Sequence, residues 1–339
     1  MTTSDPNTAG PSPGAAVQAD AGAARPVERG EAAHAEAGTL LDHHLRRQHG
    51  LGLLYGFLAY GLWGVFPVYF KALAGVSAVE VLAHRVTWAF PMLAALVLRE
   101  RHGRDIVRAL TTRRTLLTLL ATTALIAINW LVYIYSVATG RILESSLGYF
   151  INPLVNVAMG VVLLHERLTV AKRVAVALAG AGVLWLTLGV GALPWISLTL
   201  AFSFATYGLL RKLVPVGALV GLTIETMLLF PAAVAWLAWA ETHGTAAFLQ
   251  RGVRMDLLLV LAGPLTAIPL LWFTGAARRL PLSTLGFLQY LAPSLQFLLA
   301  VFVYGEPLDG ARLVAFGLIW AALAVFAYST LRERGPRVP

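Results

Sequence analysis

Two charged side chains stand inside apolar runs of this chain, and both are of types that bind or carry charge. Arg85 lies in V-L-A-H-R-V-T-W (81–88) and Glu225 in L-T-I-E-T-M (222–227), 140 residues apart. A charged group at the centre of a bilayer costs about 2.5 kcal/mol or more, so such groups face a bundle interior and usually work there. A guanidinium is suited to holding a carboxylate through two parallel N–H donors. This makes Arg85 a candidate anchor for an anionic substrate group, with Glu225 as a cation partner or proton site. The alternative is an interhelical ion pair with no ligand. His84 adjoins Arg85 and points roughly 100° away around a helix, towards the same cavity or a neighbouring interface.

Uncharged polar groups add to this set. Asn129, Tyr149, Asn152, Asn156, Gln289, Tyr290 and Gln296 all fall in apolar surroundings. An amide in such a place forms a helix–helix hydrogen bond or lines a pocket. Trp130, Trp63, Tyr133 and Phe150 are candidate aromatic walls. Pro153, after Asn152, and Pro293 are expected to break their helices and free carbonyls that must then be satisfied elsewhere.

Other chemistry is not encoded. None of the three lysines, Lys71, Lys172 and Lys212, sits in a phosphate-binding G-x-x-x-x-G-K-[S/T] loop. The six aspartates are isolated and lie in the first residues or at helix edges, so they cannot build a diphosphate site. His43, His44 and His49 do not form a metal site. Cysteine is absent, which removes disulfides and thiol catalysis. No catalytic group, metal or cofactor is expected, and the protein is not read as an enzyme.

The elements that position Arg85 and Glu225 are membrane helices. Hydrophobic residues make up 58% and charged residues 13%, and the mean hydropathy is +0.72. A soluble domain has about 25% charged residues. Runs of about 20 apolar residues, enough to cross a hydrocarbon core, occur near 51–71, 79–99, 115–138, 144–164, 171–190, 192–211, 218–240, 256–277, 283–304 and 310–331. The expected fold is therefore all-α, with ten transmembrane helices. Residues 1–48 are rich in Ala, Gly, Pro and Glu and are read as a disordered tail; residues 332–339 form a short C-terminal tail. Small faces at Ala175, Ala179 and Gly182 and at Ala311, Ala315 and Ala322 suit scaffold contacts or a homodimer interface.

Charge sets the orientation. With the N-terminal tail inside, 18 Lys and Arg from Arg46 onward fall on the cytoplasmic side and five on the outer side, Arg85 excluded. That bias places both termini in the cytoplasm of an inner (plasma) membrane protein. It also accounts for the net charge of +9 without a nucleic-acid partner; the partners are the lipid bilayer and a small-molecule substrate.

The 140-residue offset recurs. It relates Phe90-Pro91 to Phe230-Pro231, Ile128-Asn129 to Ile268-Pro269, and the Pro153-to-Glu166 spacing to Pro293-to-Glu306. The chain reads as a duplication of five helices, at 49–190 and 191–331. An odd number of helices per repeat inverts the second copy, as in secondary transporters with a midplane site.

Several segments resemble one family. A-Y-G-L-W-G (59–64), E-V-L-A-H-R-V-T-W (80–88), N-W (129–130), E-S-S-L-G-Y-F-I-N-P-L-V-N (144–156) and S-T-L-G-F-L-Q-Y (283–290) resemble the RarD group of EamA-type transporters, in the drug/metabolite transporter superfamily. The resemblance runs in order over about residues 50–330; the first 45 residues have no counterpart in it. It implies an inner-membrane transporter of small amphipathic metabolites or drugs, linked to chloramphenicol sensitivity. A membrane-embedded binding or sensor protein that moves nothing is the other reading.

Overall fold

A computed structural model describes residues 26–164, 169–277, 279–280 and 288–332, and within these the side chains at 26–46, 156–157, 160–164, 172, 190, 212, 277 and 330–332 are outside the described set. Two units divide the chain, Met1–Gln48 and His49–Pro339. The described residues are helical without strands. The helices are α1 (Pro26–Ala72), α2 (Ala78–Arg99), α3 (Gly103–Thr111), α4 (Arg113–Ala138), α5 (Ile142–Leu164) and α6 (Val170–Val190). They continue with α7 (Trp195–Leu213), α8 (Ala218–Thr242), α9 (Val253–Ala277), α10 (Leu291–Leu298) and α11 (Gly310–Arg332), and a π-helical turn, Leu299–Val303, extends α10. Among the described residues six helices are long and apolar enough to cross a membrane: Arg47–Ala72 of α1, then α2, α4, α8, α9 and α11.

Two expectations change here. The segment read as disordered is helical from Pro26, where proline opens a helix at no cost in hydrogen bonds and Ala, Glu and Leu sustain it. Pro153 does not break its helix, since α5 runs unbroken through it. Pro293 lies in the first turn of α10, where its missing N–H has no partner to lose. The interruption in this region is the turn at Gln289–Tyr290 that precedes α10.

Local chemistry fixes several ends. Ser77 caps α2 by accepting the Glu80 N–H at 3.1 Å. The Glu80 carboxylate is buried and accepts the Ala247 and Phe248 N–H groups at 2.6 and 3.3 Å, which ties the α8–α9 connection to the start of α2. Glu306 accepts from the Ile142 and Leu143 N–H groups at 2.7 and 2.8 Å. A carboxylate there satisfies two of the orphan donors of α5 and meets the positive end of the helix dipole. Gly191, at φ +71°, closes α6.

Packing is by helix pairs. α2 lies against α8 and α9, α4 against α7 and α8, α5 against α7, and α6 against α11. The small faces meet each other within the chain: a Cβ at Gly182 would stand 3.2 Å from the Ala315 carbonyl oxygen. Ala175, Ala179, Ala315 and Ala322 are all buried there, so these faces serve as scaffold.

Candidate functional site

Arg85 is delivered by the middle of α2 into an aromatic chamber. It is only 6% exposed. Its guanidinium lies 4.1 Å from the centre of the Trp130 ring on α4, a cation–π contact that suits the planar, weakly hydrated guanidinium. Tyr69 of α1, Tyr133 of α4 and Tyr149 of α5 act on it electrostatically. Tyr133 and Tyr149 stand 5.8 Å apart, ring centre to ring centre. Among the described residues Arg85 has no carboxylate partner. Its Nε and the Tyr133 hydroxyl are buried without hydrogen bonds. Buried polar groups are almost always paired; here two unpaired groups adjoin one chamber.

Glu225 sits in the third turn of α8, fully buried. It accepts from Thr122 Oγ1 of α4 at 2.7 Å and from the Tyr207 hydroxyl of α7 at 3.1 Å. Its ionic partner is Arg211, with Nε 3.8 Å from Oε1. The interhelical pair of Arg85 with Glu225, the alternative raised by the sequence, is not formed: each has its own surroundings. Arg211 was counted with the cytoplasmic charges. The short connection between α7 and α8 brings residue 211 beside residue 225, and that loop length is a signal the sequence carried.

The other candidates divide. Trp130 and Tyr149 are in the chamber. Asn129 is buried beside it but engaged: its Nδ2 donates to the Leu200 carbonyl at 3.1 Å and to Ser203 Oγ at 2.9 Å, and its Oδ1 accepts from Tyr149 at 3.4 Å. It ties α4 to α7 and steadies Tyr149. Asn152 is buried in α5. His84 turns away from Arg85. Its Nδ1 accepts the Trp88 indole N–H at 3.2 Å and its ring lies 4.9 Å from Phe248, so it packs against the α8–α9 connection. Tyr290 stacks on Phe150 at 6.5 Å, in a separate aromatic cluster with Phe316 and Trp320. Gln289 is half-buried in the turn before α10. The side chain of Asn156 lies outside the described residues. Of the proposed walls, Tyr133 belongs to the chamber; Trp63 packs with Tyr60 and Phe273 instead. Tyr69 was missed, because a tyrosine on a first span carries no local mark of what it faces.

The EamA-like transporter family matches residues 50–188. A Streptomyces exfoliatus protein named RarD is 48% identical over 285 residues, 83% of this chain and 89% of that protein. An uncharacterized transporter of Vibrio cholerae is 46% identical over 83% of this chain and 93% of its own length. A Pseudomonas aeruginosa protein named chloramphenicol-sensitive protein RarD is 34% identical over 84% of this chain and 96% of its own. One solved crystal structure shares the fold at a TM-score of 0.56 and 22% identity, over 84% of this chain and 98% of that one.

Proposed function

The chain belongs to the RarD type of the EamA-like transporter family, and we propose that it is a secondary transporter of small amphipathic metabolites or drugs carrying an anionic group. Arg85 anchors that group. The observation that carries this reading is a buried guanidinium over the Trp130 ring, with no counter-charge among the described residues, beside the unpaired Tyr133 hydroxyl. A bound carboxylate would supply what both lack, and Tyr69, Tyr149 and Trp130 would bury the apolar remainder.

Transport proceeds by alternating access between two inverted five-helix repeats, 49–190 and 191–331, in a ten-helix bundle with both termini in the cytoplasm. The pairing of helices supports the repeat. Under a 140-residue shift α2 becomes α8 and α6 becomes α11, and each packs against its own counterpart, as elements beside a two-fold axis do. The α5–α7 contact likewise has its counterpart in Gln296 of α10, whose Nε2 donates to the Trp63 carbonyl of α1 at 3.2 Å. The 18-to-five split of Lys and Arg supports the orientation.

Solute flux in liposomes tests the function. Candidate anionic amphipaths should exchange across the bilayer by counterflow, and Arg85→Ala should abolish that exchange; binding without counterflow would make the protein a sensor. Cysteine labelling of this naturally Cys-free chain tests the topology. Positions in the 99–114 segment should react only from the cytoplasm and positions near Arg251 only from outside. Labelling of both from one side would reject the inverted arrangement.

A further inference from the structure

At the end of the molecule that the charge bias assigns to the cytoplasm lies a cleft of about 510 Å³, lined by His102, Asp105, Arg108, Thr112, Thr115 and residues 215–220. It ends where Arg211 is fastened: Arg211 Nη2 donates to the carbonyls of Gly217 and Ala218 at 3.2 and 3.5 Å. Beyond Arg211 lies Glu225, and beyond Glu225 the chamber of Arg85. One face of α4 runs the whole way. Thr115 lines the cleft, Thr122 bonds Glu225, Ile126 is buried between the two charged centres, and Trp130 and Tyr133 adjoin Arg85. The spacing of these residues, close to four or seven apart, keeps them on one side of a helix. A second line of contacts runs beside them on α5 and α7. Tyr149 packs on Phe204 at 6.3 Å, Phe204 stacks on Tyr207 at 6.0 Å, and Tyr207 bonds Glu225.

The Arg211–Glu225 pair closes this line at one point. Arg211 Nη1 is buried without a hydrogen-bond partner, so the pair does not use its full donor set. The guanidinium lies flat on Gly221, where any Cβ would collide with it. α7 presents Arg211 and Tyr207 to Glu225, and α4, which packs against α8, presents Thr122. Among the described residues α2, α3 and α9 present no charged or titratable group to it.

We propose that Arg211–Glu225 is a proton-released gate on a cytoplasmic passage along α4, and that Arg211, once freed, is a second site for the anion held by Arg85. A proton on Glu225 removes the negative charge that holds Arg211. The guanidinium then offers its donors to the anionic group, which passes from one arginine to the other, and the proton moves with it. The second site rests on the reading of Arg85 as the anchor; the gate does not.

The test uses the full chain carrying Ile126→Cys in everted membrane vesicles, labelled by a charged maleimide from the cytoplasmic side at neutral and acidic pH. Rates are divided by those of Val107→Cys, an exposed position on α3, which corrects for thiol ionisation. Acidification should speed relative labelling about tenfold, as expected when a minor open state becomes populated. Glu225→Gln should label fast at both pH values. Gly221→Ala keeps both charges but unseats Arg211, and should label fast at neutral pH. Equal rates at both pH values, or a pH response that survives Glu225→Gln, would overturn the gate. Benzenesulfonate, anionic throughout, should slow labelling in the Glu225→Gln background, and should slow it less when Arg211→Gln or Arg85→Ala is added. Protection undiminished by Arg211→Gln overturns the second site, and protection undiminished by Arg85→Ala means that the anchor reading has failed.

Discussion

Arg85 and Glu225 occupy equivalent places on α2 and α8, yet their surroundings differ in kind. The carboxylate of Glu225 is met by a threonine, a tyrosine and an arginine, each from a neighbouring helix. The guanidinium of Arg85 is met by rings and by a hydroxyl that has no partner of its own. The fold explains the Glu225 carboxylate, because a buried charge met from two neighbouring helices by three partners holds those helices together. It does not explain the Arg85 guanidinium. A buried cation that no described residue neutralises is what a ligand would complete, and the contrast is the one expected between a binding centre and a latch.

Substitutions can break the comparison at either centre. The largest effect is expected at the latch. Arg211→Met strands the Glu225 carboxylate and should lower stability by about 3–5 kcal/mol, with most of the loss recovered when Glu225→Gln is added. Thermal melting of the purified singles and double measures this; additive losses would show that the two side chains do not act as a pair. At the other centre Arg85→Met strands no protein carboxylate, so its melting temperature should stay close to that of the parent. Binding of an anionic substrate should weaken by about 2–5 kcal/mol if the contact is desolvated. A large loss of stability in Arg85→Met would make that centre a latch as well.

Smaller effects sharpen the picture. Thr122→Val removes one hydrogen bond to a charged group and should cost about 1.5–3 kcal/mol. Because Arg85 and Glu225 share no partner, Arg85→Met combined with Glu225→Gln should show coupling within about 0.5 kcal/mol. A coupling several times larger in a double-mutant cycle would mean that the two centres communicate in the ground state.

A third carboxylate, Glu306, provides the mildest test. Burial raises its pKa above the usual carboxylate range, opposed by the Leu143 and Ile142 N–H groups and by Lys71 and Arg312. The folded protein therefore holds this proton more tightly than the unfolded chain. The contribution to stability is full below the ordinary pKa near 4.5 and falls as pH rises through the raised value. Glu306→Ala should erase that part of the pH profile of melting, while also costing the α5 cap about 1 kcal/mol. An unchanged profile would show that the cap carries no proton linkage.

The sequence by itself determined the class of the molecule and the places of its two buried charges. Apolar runs of membrane length and few charges follow from composition and order, because the bilayer acts on each segment separately. The 140-residue offset was legible in the same way, and the helix positions of α2/α8 and α4/α9 follow it. The partners of these charges were decided only by the tertiary structure. Arg85 and Glu225 look like a complementary pair in the sequence, but helix packing gives Glu225 to Arg211 and Arg85 to Trp130. The side on which His84 points, the effect of Pro153 inside α5 and the separation of Tyr290 from the chamber were likewise set by neighbouring helices. A helix periodicity states which residues share a face; which face meets which is fixed by packing the whole bundle, where each contact depends on all the others.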